Sequence, residues 1–123
     1  MNIDFESDTP IYLQISAQIE DSILSGAFAE ESQIPSTTEI STLYHINPAT
    51  VLKGMTLLVD GGILYKKRGV GMFVKQGAAQ AVLKKRRQSF YEDYILRLLG
   101  EAAKLGISSD ELIGMIAKGA KND

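Results

Sequence analysis

Cysteine is absent from the 123 residues. Disulfides and thiolate metal sites are thereby excluded, and a reducing cytoplasm suits such a chain. His45 is the single histidine, so it has no partner for a zinc site, and a role in a turn or in packing is expected. Long apolar runs are also missing. None approaches the roughly 20 residues of a membrane span. The first residues hold Asp4, Glu6 and Asp8 and no apolar stretch, so no secretory signal is visible. These acids read as a solvated arm rather than a cation site. No internal repeat or low-complexity tract occurs. A hydrophobic share of 45% and a charged share of 23% belong to a folded chain, not a disordered one.

Positive charge is missing from the first part of the chain, where no lysine or arginine precedes Lys53. Negative charge is missing between Gly61 and Tyr91. That stretch holds Lys66, Lys67, Arg68, Lys75, Lys84, Lys85, Arg86 and Arg87. The net charge of −2 therefore conceals a one-sign block with a local positive field.

The periodicity predicts helices before and after this block. A first helix starts at Pro10, carries Ile11, Ile15, Ile19 and Ile23 as one stripe, and stops near Gly26. Ala27 to Pro35 reads as a loop. Ser36-Thr37-Thr38-Glu39 is a capping box that opens a short helix ending near Tyr44. Asn47-Pro48 opens a third helix, with Val51, Met55 and Leu58, joined by Leu52 and Val59, as its buried side. Gly61-Gly62 ends it. Ile63 to Tyr65 and Met72 to Val74 pair as a hairpin, with Lys66, Lys67 and Arg68 at its tip and Gly69 and Gly71 free to turn. Ala78 to Leu105 reads as one long helix with a stripe of Tyr91, Tyr94, Ile95, Leu98, Leu99, Ala102 and Leu105. Gly106 closes it. Ser108 and Glu111 form a second capping box, and Leu112, Ile113 and Ile116 lie inside the last helix.

Three helices followed by a basic hairpin is the order of a winged helix-turn-helix. Helix starts crowded with Ser36, Thr37 and Thr38, and with Asn47, Ala49 and Thr50, suit the approach of phosphate. The third helix can enter a major groove about 12 Å wide. Thr50 and Lys53 project from its first turns, so at least one is expected to report on sequence, while Lys66, Lys67, Arg68 and Gly69 meet the backbone or minor groove.

The residues Pro10 to Ile15, Ile34-Pro35-Ser36, Ile46 to Val51, Gly62-Ile63-Leu64 and Gly69 to Val74 resemble, in order and spacing, the GntR family of bacterial regulators. The tail, with Lys85-Arg86-Arg87, Tyr94-Ile95, Glu101-Ala102 and Leu105 to Ser108, resembles the YtrA subfamily. There, two dimerising helices replace the larger ligand-binding domain. The chain departs from the family at Thr38 and Pro48, where arginines are usual, and at Met72, where threonine is usual. The first two departures remove candidate base-reading cations and leave more of the affinity to the wing and Lys53.

The expected fold is mainly α with a small β-hairpin: a winged helix-turn-helix over residues 1–76 and a two-helix C-terminal dimerisation segment over 77–123. Tyr91, Tyr94, Ile95, Leu98, Leu99 and Ala102 are the expected dimer residues, since their helical spacing suits packing better than a ligand pocket. The resemblance implies a homodimeric, cytoplasmic regulator, more often a repressor, bound to double-stranded operator DNA with inverted symmetry. No enzyme chemistry, cofactor or metal is expected. Gly69-Val70-Gly71 lacks the third glycine and the helix of a nucleotide loop, and Ser36 is explained by its cap. Lys84 to Arg87 has two readings, a further DNA contact or a solvated junction. The competing function is a winged-helix interaction module without specific DNA binding.

Overall fold

The computed structural model describes residues 1–122. The chain forms two compact units, Met1–Lys84 and a second that begins at Lys85. The first holds α1 (Ile11–Ser25), α2 (Thr37–Tyr44), α3 (Pro48–Asp60), β1 (Leu64–Lys67), β2 (Gly71–Val74) and the start of α4 (Ala78–Phe90). It runs past the expected boundary at residue 76 because Ala78 and Val82 of α4 are buried in its core.

Ile15, Ile19 and Ile23 of α1 are buried and Ile11 packs at the edge of the same core. Pro10 lies one residue outside the helix, in extended backbone at φ −53° and ψ 143°, so the helix begins at Ile11. Gly26 ends it at φ 86°, returning its N–H to the carbonyl of Ile23. Against this helix packs α3, and the approach is close at Gly54. A Cβ there would sit 2.7 Å from the carbonyl oxygen of Tyr12 and 3.2 Å from Ile15. The Ser16 hydroxyl donates to the Gly54 carbonyl at 2.5 Å across this contact. Val51, Met55 and Leu58 fill the rest of the buried side of α3.

Leu52 departs from the sequence expectation. It is 47% exposed, because its position on the helix turns it away from the Val51–Met55–Leu58 stripe and toward the outer face. The hairpin differs too. Lys66 stands opposite Met72 and Lys67 opposite Gly71 in an antiparallel ladder, so both lysines belong to a strand rather than to the tip. The turn is tight: the Val70 N–H reaches the Lys67 carbonyl at 2.9 Å with Gly69 at φ 77°. Only Arg68 remains as a cation within it.

Ala27 to Pro35, expected to be loop alone, contributes a short run of pairing along the far side of β2. The Glu31 N–H donates to the Val74 carbonyl, the Val74 N–H to that of Ser32, and the Ile34 N–H to that of Met72. No alternation of apolar residues announces this segment, since only Ile34 within it is buried. The main-chain bonds, not side-chain burial, hold it.

The second unit holds the remainder of α4, a π-helical turn over Tyr91–Ile95, α5 (Leu96–Lys104) and α6 (Ser109–Lys121). The single long helix expected here is therefore interrupted. At the widened turn the Leu96 N–H reaches the Tyr91 carbonyl, and the rings of Phe90 and Tyr94 pack 5.3 Å apart across it. Gly106, at φ 69°, lets the Ile107 N–H return to Ala102 and closes α5. Ser108 then caps α6 by accepting from the Glu111 N–H. Leu112 is buried, but Ile113 and Ile116 are exposed, contrary to expectation. The reason is that this unit, taken alone, offers them nothing to pack on: Ala102 and Leu112 are its only buried apolar side chains among the described residues.

Candidate nucleic-acid interface

The geometry between α2 and α3 is fixed by local chemistry. Ser36 accepts from the Glu39 N–H at 3.0 Å and Glu39 accepts from the Ser36 N–H at 3.1 Å, completing the predicted capping box. At the other end His45 takes the left-handed conformation, φ 54° and ψ 46°, a region open to histidine more readily than to branched residues. The lone histidine is thus a turn residue. The Ser41 hydroxyl donates to the Ile46 carbonyl at 2.6 Å and steadies the turn. Asn47 then accepts from the Ala49 N–H at 2.8 Å, with Pro48 as the first helical residue.

Several expected site residues have work inside the domain. The side chains of Ser36 and Asn47 are caps. The Thr37 hydroxyl donates to the Met55 sulfur at 3.4 Å, which turns it toward α3. Thr38 and Ala49 are exposed, and Thr50 is half-buried. The Lys53 ammonium stands 4.0 Å from the centre of the Tyr12 ring, a cation–π contact of about 0.5–1 kcal/mol at an exposed site. Leu52 and Thr56, which residue type alone does not single out, complete the exposed face beside Ala49 and Lys53. The signal for them lies in the spacing: positions 49, 52, 53 and 56 follow the three-four rule of one helix face.

The wing is braced on one face and along the β2 edge. Tyr65 and Phe73, opposite one another in the ladder, stack at 5.7 Å, and the Lys67 ammonium lies 4.3 Å from the Phe73 ring. The Tyr65 hydroxyl donates to the Glu31 carboxylate at 2.8 Å. That hydrogen bond, with lesser contributions from desolvation and the negative charge, raises the phenol above its ordinary value, so it stays a donor. The Gln33 amide donates to the Val70 carbonyl at 3.0 Å and occupies the space beside Gly71, where a Cβ would lie 2.5 Å from its nitrogen. The turn that carries Arg68 is therefore held from the side. Arg68, Lys66 and Gly69 are exposed.

Helix, tight turn, helix and basic hairpin, in that order and with these contacts, define a winged helix-turn-helix, the architecture of a DNA-binding transcriptional regulator. Residues 11–74 match the family model for bacterial regulatory proteins of the gntR family. The chain belongs to that family. Over its whole length it is 29% identical to the HTH-type transcriptional repressor YtrA of Bacillus subtilis, spanning 99% of that protein, and this places it with the YtrA-type members. It is 36% identical over 69 residues to the HTH-type transcriptional regulator YurK of Bacillus subtilis, but covers 28% of that longer protein. Among solved structures, a GntR-family transcriptional regulator from Bacteroides thetaiotaomicron superposes with a TM-score of 0.70 at 33% identity, covering 91% of this chain and 97% of that one. No helix among the described residues is long and apolar enough to cross a membrane.

Proposed function

We propose that this regulator acts as a homodimeric repressor on an inverted-repeat operator, with the winged domain on DNA and the segment beyond it forming the dimer. The observation that carries the dimer is the unfilled apolar surface of the second unit. Tyr91, Tyr94, Leu98 and Leu99 are exposed beside the buried Ala102, and Ile113 and Ile116 add to them, with Ile95 half-buried. Two-fold pairing would cover such a face with its own copy. Two recognition helices related by that axis require an operator of matching symmetry. The full-span likeness to YtrA, itself named a repressor, supports the sign of regulation.

In this reading the start of α3, from Asn47 through Ala49 and Thr50, enters the major groove, while Ser36, Thr37 and Thr38 at the start of α2 lie along the phosphates. Lys53, drawn toward Tyr12, sits at the side of the recognition helix and serves as a backbone cation. Arg68, flanked by Lys66, Lys67 and Gly69, presents the wing to phosphate.

The test is a salt titration of binding to an operator and to scrambled duplex. Removing one phosphate-neutralising cation reduces the log-log salt slope by about 0.9, so Arg68→Ala, present twice in a dimer, should flatten it by roughly two. The ratio of operator to scrambled affinity should hardly change. Binding that ignores both salt and sequence in the unmodified protein would sink the reading and favour an interaction module.

A further inference from the structure

The side chains that make bidentate hydrogen bonds to base edges are arginine, lysine, asparagine and glutamine. Within α3, Pro48–Asp60, the only one of these is Lys53, and its ammonium is held 4.0 Å from the Tyr12 ring. Asn47, just before the helix, has its carbonyl oxygen committed to the Ala49 N–H. What the outer face presents instead is methyl groups. Leu52 is 47% exposed, and Ala49 and Thr56 are exposed on either side of it, one turn away. An isobutyl group left in water on the face of a recognition helix has a complementary feature in the major groove: the C5 methyl of thymine, the one apolar mark in that groove's pattern.

We infer that α3 reads its operator through thymine methyl groups, with Leu52 as the principal specificity-determining residue. This rests on the docking in which α3 enters the major groove. It assigns to the half-site at least one thymine facing Leu52. It also makes the discrimination insensitive to salt, because burial of a methyl releases no counterions.

The experiment starts from an operator selected by the full-length protein out of a random duplex library. Each thymine in one half-site is then replaced singly by deoxyuridine, which removes only the C5 methyl. Binding is measured by fluorescence anisotropy for the unmodified protein, Leu52→Ala and Leu52→Met. At one or two positions the unmodified protein should lose about fourfold in affinity, the worth of one buried methyl. Leu52→Ala should lose less than about twofold at the same positions, since the partner of the methyl is gone, and Leu52→Met should keep the sensitivity. Replacing such a thymine by 5-methylcytosine should retain more affinity than replacing it by cytosine. Leu52 lies outside the core, so the variants keep the fold, and thermal unfolding verifies this. Equal deoxyuridine losses in the unmodified protein and Leu52→Ala, or none in either, overturn the inference, as does a selected half-site without thymine. Ala49→Glu separates this failure from failure of the docking. If it abolishes discrimination while deoxyuridine is silent, α3 is in the groove but does not read methyls. If it binds as the unmodified protein does, the docking itself is wrong.

Discussion

Leu98→Asp should convert the protein to monomers at micromolar concentration. Leu98 is 39% exposed in the isolated chain, on the face that also bears Tyr94 and Leu99. In a two-fold dimer the substitution enters twice, and each copy places an unpaired carboxylate against an apolar surface. An unsatisfied buried polar group costs about 1–3 kcal/mol in protein mutants, and an ionised one more. Two copies amount to at least about 4 kcal/mol, roughly a thousandfold in the dimer dissociation constant. Operator affinity should fall with it, because the second half-site would no longer be reached at the high effective concentration that a dimer supplies. Sedimentation velocity reads the first effect and binding to single and paired half-sites the second. A variant that sediments as the unmodified protein does would remove α5 from the interface. The winged domain should unfold at an unchanged temperature if it is measured by a signal of its own, since its core residues lie elsewhere.

Gly54→Ala should lower thermal stability, against the usual sign for glycine in a helix. Alanine gains about 0.8–1 kcal/mol over glycine from helix propensity. Here the new methyl would stand 2.7 Å from the Tyr12 carbonyl oxygen and 3.2 Å from two atoms of Ile15. None of these is the free end of a flexible chain, so the two helices must part. Overpacking of this kind costs about 1–3 kcal/mol. Separation also stretches the Ser16 hydrogen bond to the Gly54 carbonyl, worth about 1 kcal/mol. The net loss is about 2 kcal/mol, on the order of 10 °C for a domain of this size. Gly54→Val, larger and β-branched, should leave the domain mostly unfolded. Calorimetry or circular dichroism decides it. A rise in melting temperature for Gly54→Ala would mean that α1 and α3 do not meet at this distance.

The parts of the fold that are legible in the sequence are those written in local chemistry. Ser36 with Glu39 and Asn47 with Pro48 mark helix starts because capping needs only residues three apart, and the chain cannot hide them. The stripe of Ile15, Ile19 and Ile23 is equally local. What is not legible depends on partners distant in sequence. The pairing of Glu31 to Ile34 along β2 is made by main-chain groups, which carry no side-chain signature. Leucine usually belongs in a core, which predicts Leu52 inside, and only the placement of α1 shows that the core is already filled by Val51, Met55 and Leu58. The tightness of the Arg68–Val70 turn moves Lys66 and Lys67 from the tip into the ladder. Of the candidate contacts, the two helix starts and the wing are recognisable by residue type. The engagement of Thr37 with Met55 and of Lys53 with Tyr12 is not, because both depend on a packing geometry that spacing alone does not encode.

The sheet has one further consequence, for solubility. Because the segment around Gln33 covers one side of β2, the open edge of the hairpin is β1. An open edge offers unpaired amides and carbonyls to any neighbouring chain and is a common starting point for aggregation. Here that edge is four residues long and half of it is Lys66 and Lys67. Two wings approaching edge to edge would bring like charges together before any ladder could form. The lysines proposed to meet phosphate thus also keep the free protein from joining itself. Exchanging both for neutral residues, or screening them with concentrated salt, should shorten the time a DNA-free sample stays clear.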